Sequence, residues 1–239
     1  MQRRTFLGAA IAAGVGLPVA GVGVARALTD SETSALPVRP LAVPDDGVIR
    51  AAFLVGPHVN VIDTAGPWEV FQDVGAGTGG SSPFELYTVA DSTQPVDGTA
   101  GLTIVPDYAH GDAPDPQVIV VPAHHASPGT LSWLRRAAAK ADVVMSVCTG
   151  AFILAGEGLL DDRRATTHHD FHSEFESSFP RVELVRGERF VEDGRVATAA
   201  GLTSGIDLAL RVVERFLGRS AAEATARYME HESARWRTA

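Results

Sequence analysis

Asp142-Val-Val-Met-Ser-Val-Cys148-Thr-Gly-Ala-Phe-Ile-Leu-Ala155 is the stretch whose reading decides the fold. The β-branched run 143–147 predicts a buried strand and residues 150–155 the start of a helix, so Cys148 falls at a sharp strand-to-helix turn. Such a turn lifts the side chain into the open at the strand's carboxyl end. It also aims the first free N–H groups of the helix, the positive end of its dipole, at the sulfur. On that reading thiolate is favoured over thiol, and Cys148 is a nucleophile near neutral pH. The same residue also fits a small core cysteine, because free cysteine is among the most buried residue types.

Outward from this turn, the pattern predicts strands over 48–55, 84–90, 102–105 and 118–121 and a helix over 65–74. Residues 127–140 predict a helix with Ser127 as cap and Pro128 in its first turn. The helix after Cys148 closes at Gly156 or Gly158, and residues 171–179 predict another. A hairpin is expected around Glu192-Asp-Gly194 within 189–197, then two closing helices over 206–217 and 221–230. Strands alternating with helices imply an α/β fold, a mostly parallel sheet with helices on both faces. Sites in such sheets gather outside the carboxyl ends of the strands, where Cys148 would sit.

The chain opens Met1-Gln-Arg3-Arg4-Thr-Phe6-Leu7 and continues Gly/Ala-rich to Ala25-Arg26-Ala27. Paired arginines before an apolar stretch and an Ala-x-Ala site predict a twin-arginine signal over 1–27, removed on export to the periplasm or beyond. Its glycines and Pro18 make it a poor permanent anchor, so no stable membrane insertion is expected after cleavage. Without Arg3, Arg4 and Arg26 the formal charge moves from −9 to about −12. So acidic a surface argues against nucleic acid as a partner. A single cysteine allows no internal disulfide, which is unusual for an exported chain and compatible with export in the folded state. Residues 28–47, rich in Pro, Ser, Thr and acids, read as a flexible linker. Residues 48–231 make one domain, and 232–239 a short tail.

Several motifs fail on context. Gly75-Ala-Gly77-Thr-Gly-Gly80 is spelled like a dinucleotide fingerprint but follows a helix and precedes a strand, the reverse of what pyrophosphate binding needs. Gly201-Leu-Thr-Ser204-Gly205 lacks the spacing of a serine elbow and reads as a tight entry to a helix. His168 and His172 could meet on one helix face, with His124 or His125 as a third metal ligand, but no acid-bearing zincin pattern accompanies them, and no metal is expected. These histidines instead either line the pocket of Cys148 or are ordinary surface and core residues. Asp63, just beyond the first strand, is either a partly desolvated general acid or base or the cap of the helix that Pro67 enters.

Taken together, these stretches resemble the ThiJ/PfpI family of the class I glutamine amidotransferase-like superfamily. They are Ile62-Asp63-Thr-Ala-Gly-Pro67-Trp-Glu69, Val118-Ile-Val-Val-Pro122, Val147-Cys148-Thr149-Gly150, Thr166-Thr167-His168 and Gly201-Leu-Thr-Ser-Gly205-Ile-Asp207. The likeness is greatest to the isonitrile hydratase-like branch and to the ligand domains of AraC-type regulators. It implies a flavodoxin-like three-layer sandwich, Cys148 as nucleophile, Asp63 as the acid facing the sulfur, Thr149 as a supporting catalytic residue and His168 near the pocket. Relatives place Gly-Gly where this chain has Ala123-His124, so Ala123 and His124 are expected to shape the substrate-binding rim. The resemblance implies a small-molecule substrate, no cofactor, a homodimer, and hydration of an isonitrile to an N-substituted formamide. The alternatives are another hydrolytic or carbonyl-handling reaction, or a binding or redox-sensing role without turnover. About eight residues follow His231, so no DNA-binding region is expected.

Overall fold

The computed structural model describes residues 39–76 and 79–237. The signal, most of the linker and Gly77-Thr78 of the glycine loop lie outside the described residues. In chain order the elements are β1 (Ile49–Leu54), α1 (Val61–Gln72), β2 (Phe84–Ala90), β3 (Val96–Asp97), β4 (Thr103–Ile104) and β5 (Tyr108–Ala109). Then come β6 (Val118–Val121), α2 (Pro128–Ala138), β7 (Val143–Val147), α3 (Gly150–Gly156), β8 (Arg164–Ala165) and α4 (His172–Ser178). The last are β9 (Glu183–Leu184), β10 (Phe190–Asp193), β11 (Val196–Ala199), α5 (Ser204–Leu217) and α6 (Arg219–Tyr228).

Seven strands form the main sheet in the order β10-β11-β7-β6-β1-β2-β5, parallel throughout except for the β10–β11 hairpin. Strands β6 and β7 are buried on both faces, which is why they read as unbroken apolar runs. Alternate side chains enter two cores. Phe53, Val120, Met145 and Val147 meet Phe71 of α1, Leu208 and Val212 of α5 and Ala222 of α6. Leu54, Ile119, Val121 and Val144 meet Trp133 and Leu134 of α2, Leu154 of α3 and Phe175 of α4. The result is a flavodoxin-like three-layer α/β sandwich with helices on both faces, as the sequence predicts. Among the described residues no helix is long and apolar enough to cross a membrane.

Several expectations need adjustment. Helix α1 starts at Val61, not at residue 65, and its cap is Asn60, whose side chain accepts the Ile62 N–H at 3.2 Å. Asp63 is therefore a buried residue of the first helical turn and is not the cap. The stretch 102–105 contributes only Thr103–Ile104, paired with β3 in a separate ribbon, and Val105 is exposed. Residues 169–171 form a short 3₁₀ turn before α4 begins at His172. At the other end of the domain, Leu41 donates its N–H to the Arg215 carbonyl at 2.7 Å and packs on the core. Trp236 is fully buried, with the Arg219 and Arg237 guanidinium groups 5.5 and 5.2 Å from its ring centre. The folded domain thus extends past His231 into the segment read as a tail. Trp236→Ala should cost about 3–5 kcal/mol, read as a lower urea midpoint. A loss below about 1 kcal/mol, the scale of a surface substitution, would show that this segment does not close the core.

Candidate active site

Strand β7 delivers Val147, and the next residue turns sharply. Cys148 has φ +59°, the left-handed region that a side chain rarely occupies. Three neighbours hold it there. Its N–H donates to the Ala200 carbonyl at 2.8 Å, and its own carbonyl accepts the Thr167 hydroxyl at 2.9 Å. At Gly150 a Cβ would stand 2.0 Å from the Val121 carbonyl oxygen, so only glycine lets α3 start this close to the end of β6.

The sulfur is buried, Cys148 being 6% exposed, and hydrogen bonds reach it from the Thr149 N–H and hydroxyl and from the Leu202 N–H. Asp63 lies beside it and is fully buried. Asp63 Oδ2 accepts the Ala123 N–H at 3.3 Å, and the Cys148 thiol is the side chain that hydrogen-bonds the carboxyl. Asp63 Oδ1 has no further partner among the described residues. Burial drives the Asp63 pKa up to about 6, against the opposing pull of the Ala123 N–H and the thiol. The Cys148 thiol is pushed up to about 11, by burial first and by the Asp63 charge second. This corrects the expectation of a resting thiolate. The helix and loop N–H groups do act on the sulfur, but desolvation and the facing carboxylate outweigh them. At neutral pH the pair holds one proton, on sulfur, and Asp63 carries the charge.

Of the other residues expected at the site, Ala123 touches the pair directly, while His124 and His168 pack on neighbouring loops. Ala123 places Asp63 through its N–H and is anchored by its carbonyl, which accepts the Asn60 N–H at 2.8 Å. His124 lays its ring on Gly56, where an added Cβ would stand 2.9 Å from its Cδ2. Its Nδ1 lies 2.9 Å from the Pro122 carbonyl, which can only accept, so Nδ1 carries the proton and the buried Nε2 is a bare acceptor. Burial lowers the His124 pKa to about 4, so the ring is neutral. His168 packs against Gly201, where an added Cβ would come within 2.3 Å of its ring, and so supports the loop that presents Leu202. The His168–His172 pair does not form on one helix face. His168 precedes α4, its Nδ1 accepting the Asp170 N–H at 3.2 Å, while His172 Nε2 faces the Thr167 carbonyl at 3.2 Å. Among the described residues, the His168, His169 and Asp170 ligand atoms do lie within 4.8 Å of one another, with two of these residues exposed.

Leu202 was not legible as a site residue. It too is left-handed, φ +53°, in the loop after β11. Because β11 is the strand next to β7, its carboxyl-end loop arrives beside Cys148. The signal available was that adjacency, which needs the strand order.

Residues 49–215 match the DJ-1/PfpI family. The chain belongs to this family. An isonitrile hydratase from Pseudomonas putida is 31% identical to it over 194 residues, covering 78% of this chain and 80% of that protein. The HTH-type transcriptional regulator CdhR of Pseudomonas aeruginosa is 35% identical over 97 residues, covering 41% of this chain and 29% of the regulator. A ThiJ/PfpI family protein from Pseudomonas syringae, known from its crystal structure, superposes with a TM-score of 0.69 at 27% identity, covering 91% of this chain and 83% of that one.

Two outcomes follow from the carboxyl–thiol pair. Alkylation of Cys148 by iodoacetamide should titrate well above the ~8.5 of free cysteine, and Asp63→Asn should lower that pKa by removing the facing charge. The Asp63 pKa is raised in the folded state, so its contribution to stability is full below about 4 and is lost as pH rises through about 6. Asp63→Asn should therefore gain up to about 3 kcal/mol over the native protein at pH 8, the gain vanishing below pH 4 in melting curves. A gain that does not depend on pH would mean that Asp63 is not the titrating group.

Proposed function

We propose that this DJ-1/PfpI family protein hydrates a small isonitrile to an N-substituted formamide. The observation that supports this most directly is the buried Asp63–Cys148 pair at the strand-to-helix elbow, in a chain 31% identical to an isonitrile hydratase. A cysteine that rests as a neutral thiol needs a base when it attacks, and Asp63, ionised above about pH 6, is the adjacent base. As sulfur bonds to the terminal carbon of R–N≡C, Asp63 takes the thiol proton and passes it to that carbon, giving the thioimidate R–N=CH–S–Cys148. Water then adds, its hydroxyl to carbon and its proton to nitrogen through Asp63. The tetrahedral adduct collapses to R–NH–CHO, and the proton of the adduct's hydroxyl returns to sulfur. The Thr149 and Leu202 N–H groups stabilise the negative charge on sulfur as it enters and leaves.

The test is turnover of a small aliphatic isonitrile, with the formamide measured directly. Cys148→Ser should lower kcat/KM by at least about 10³-fold, and Asp63→Asn by about 10²–10⁴-fold. In the native protein kcat/KM should rise with pH through about 6 and stay level to pH 9, because the thiol does not ionise in that range. Full turnover by Cys148→Ser would overturn the mechanism. A second reading, small-molecule binding without turnover, draws support from the high pKa of the thiol and from the regulators among the relatives. Saturable isonitrile binding with no formamide formed would favour it. The proposal extends to location, on the strength of Arg3-Arg4 and Ala25-Arg26-Ala27, and to a homodimer, on the family likeness. A mature N-terminus at Leu28 in an exported fraction, and the mass of the native particle, are the respective tests.

A further inference from the structure

A second concentration of chemistry lies at the opposite end of the sheet from Cys148. The β10–β11 turn sits at the amino end of β7, since Val196 pairs with Val144. Helix α5 runs from the site end, where Gly205 abuts Val147, back to this turn. Here a cleft of about 340 Å³ is lined by Arg39, Arg164, Arg211, Arg215, Glu192 and Asp193. Four arginines against two carboxylates leave two positive charges in excess, in a chain whose net charge is −9. Widening the count to the adjoining Arg163, Arg219, Asp142, Glu183 and Glu214 leaves one positive charge in excess.

Two of these arginines are held in place by the fold. The side chains of Arg211 and Arg215 are 2% and 5% exposed. Glu192 bridges them, its Oε2 accepting Arg211 Nε at 2.7 Å and its Oε1 accepting Arg215 Nη1 at 3.2 Å. Arg211 Nη1 donates to Glu214 at 3.0 Å, and Arg215 Nε donates to the Arg39 carbonyl at 3.2 Å. Each guanidinium therefore keeps Nη2 without a partner among the described residues. Arg39 and Arg164 stand at the open side with exposed side chains. Burial weighs most on the Arg215 charge and Glu192 opposes it, while Arg211 and Arg39 repel it, so an anion in the cleft would add to the support Glu192 gives. Two preorganised guanidinium groups backed by carboxylates, with two exposed arginines beside them, are arranged for several oxygens on one compact charge.

We infer that this cleft binds the phosphate group of a small metabolite. Arg211 and Arg215 form its floor, and Arg39 and Arg164 close over it. The site is independent of Cys148 and of the proposed reaction.

Titration calorimetry on the full chain at pH 7.5, with inorganic phosphate and with glycerol phosphate, tests the inference. Saturable binding of one phosphate group per chain is expected, tighter for glycerol phosphate because the cleft has room beyond the anion. Arg39→Gln with Arg164→Gln, both at exposed positions, should weaken it at least tenfold. Arg227→Gln, at an exposed position on α6, and Cys148→Ser should leave it unchanged. No saturable heat from either ligand would overturn the inference. So would binding that the double variant retains in full, or a response reproduced by sodium chloride at matched ionic strength.

Discussion

The contact between Gly150 and the Val121 carbonyl is the constraint on which the site depends. It brings the start of α3 onto the end of β6 and leaves Cys148 no room for a relaxed turn. A left-handed cysteine costs about 1–2 kcal/mol. The surrounding lattice of hydrogen bonds, from Ala200 on one side and Thr167 on the other, outweighs that cost. The partners come from three separate connections, so the elbow is a product of the assembled sheet. The same crowding that fixes the backbone also removes water from the sulfur.

Loss of water decides the electrostatics. A helix N-terminus pointing at a thiol in solvent would favour the thiolate, and Thr149 and Leu202 do supply such donors. With the sulfur buried against a buried carboxyl group, two charges cannot be sustained together, and the proton stays where it costs least. The pair therefore rests with its proton on sulfur instead of storing a ready-made anion. His124 follows the same logic, being held neutral by burial with its tautomer fixed by Pro122.

What was legible in the sequence was whatever is local. The limits of β6 and β7 follow from their β-branched runs, and the Ser127 cap with Pro128 marks the start of α2. Asp63 and Cys148 were recognisable as partners only through the family likeness, since nothing local joins residues so far apart. The start of α1 is hidden in the sequence because Val59-Asn-Val-Ile has the pattern of an extended run, and Asn60 is the one local sign of the cap. The two-residue strands β3, β4, β5, β8 and β9 exist only through their pairing partners. The direction of the Cys148 shift is hidden from the sequence for the same reason, because a helix dipole is local and desolvation is not.

The two margins of the main sheet limit how copies of the chain can meet. One margin is β5, only two residues long, too short to template a further strand. The other is β10, whose Glu192 is tied to Arg211 and Arg215 and whose Asp193 is tied to Arg163. An incoming strand would find few free backbone groups at the first margin and a clamped row of charges at the second. Continuation of the sheet from one molecule into the next is thereby disfavoured at both sides, and any contact between copies would be left to the helical faces and the loops between them.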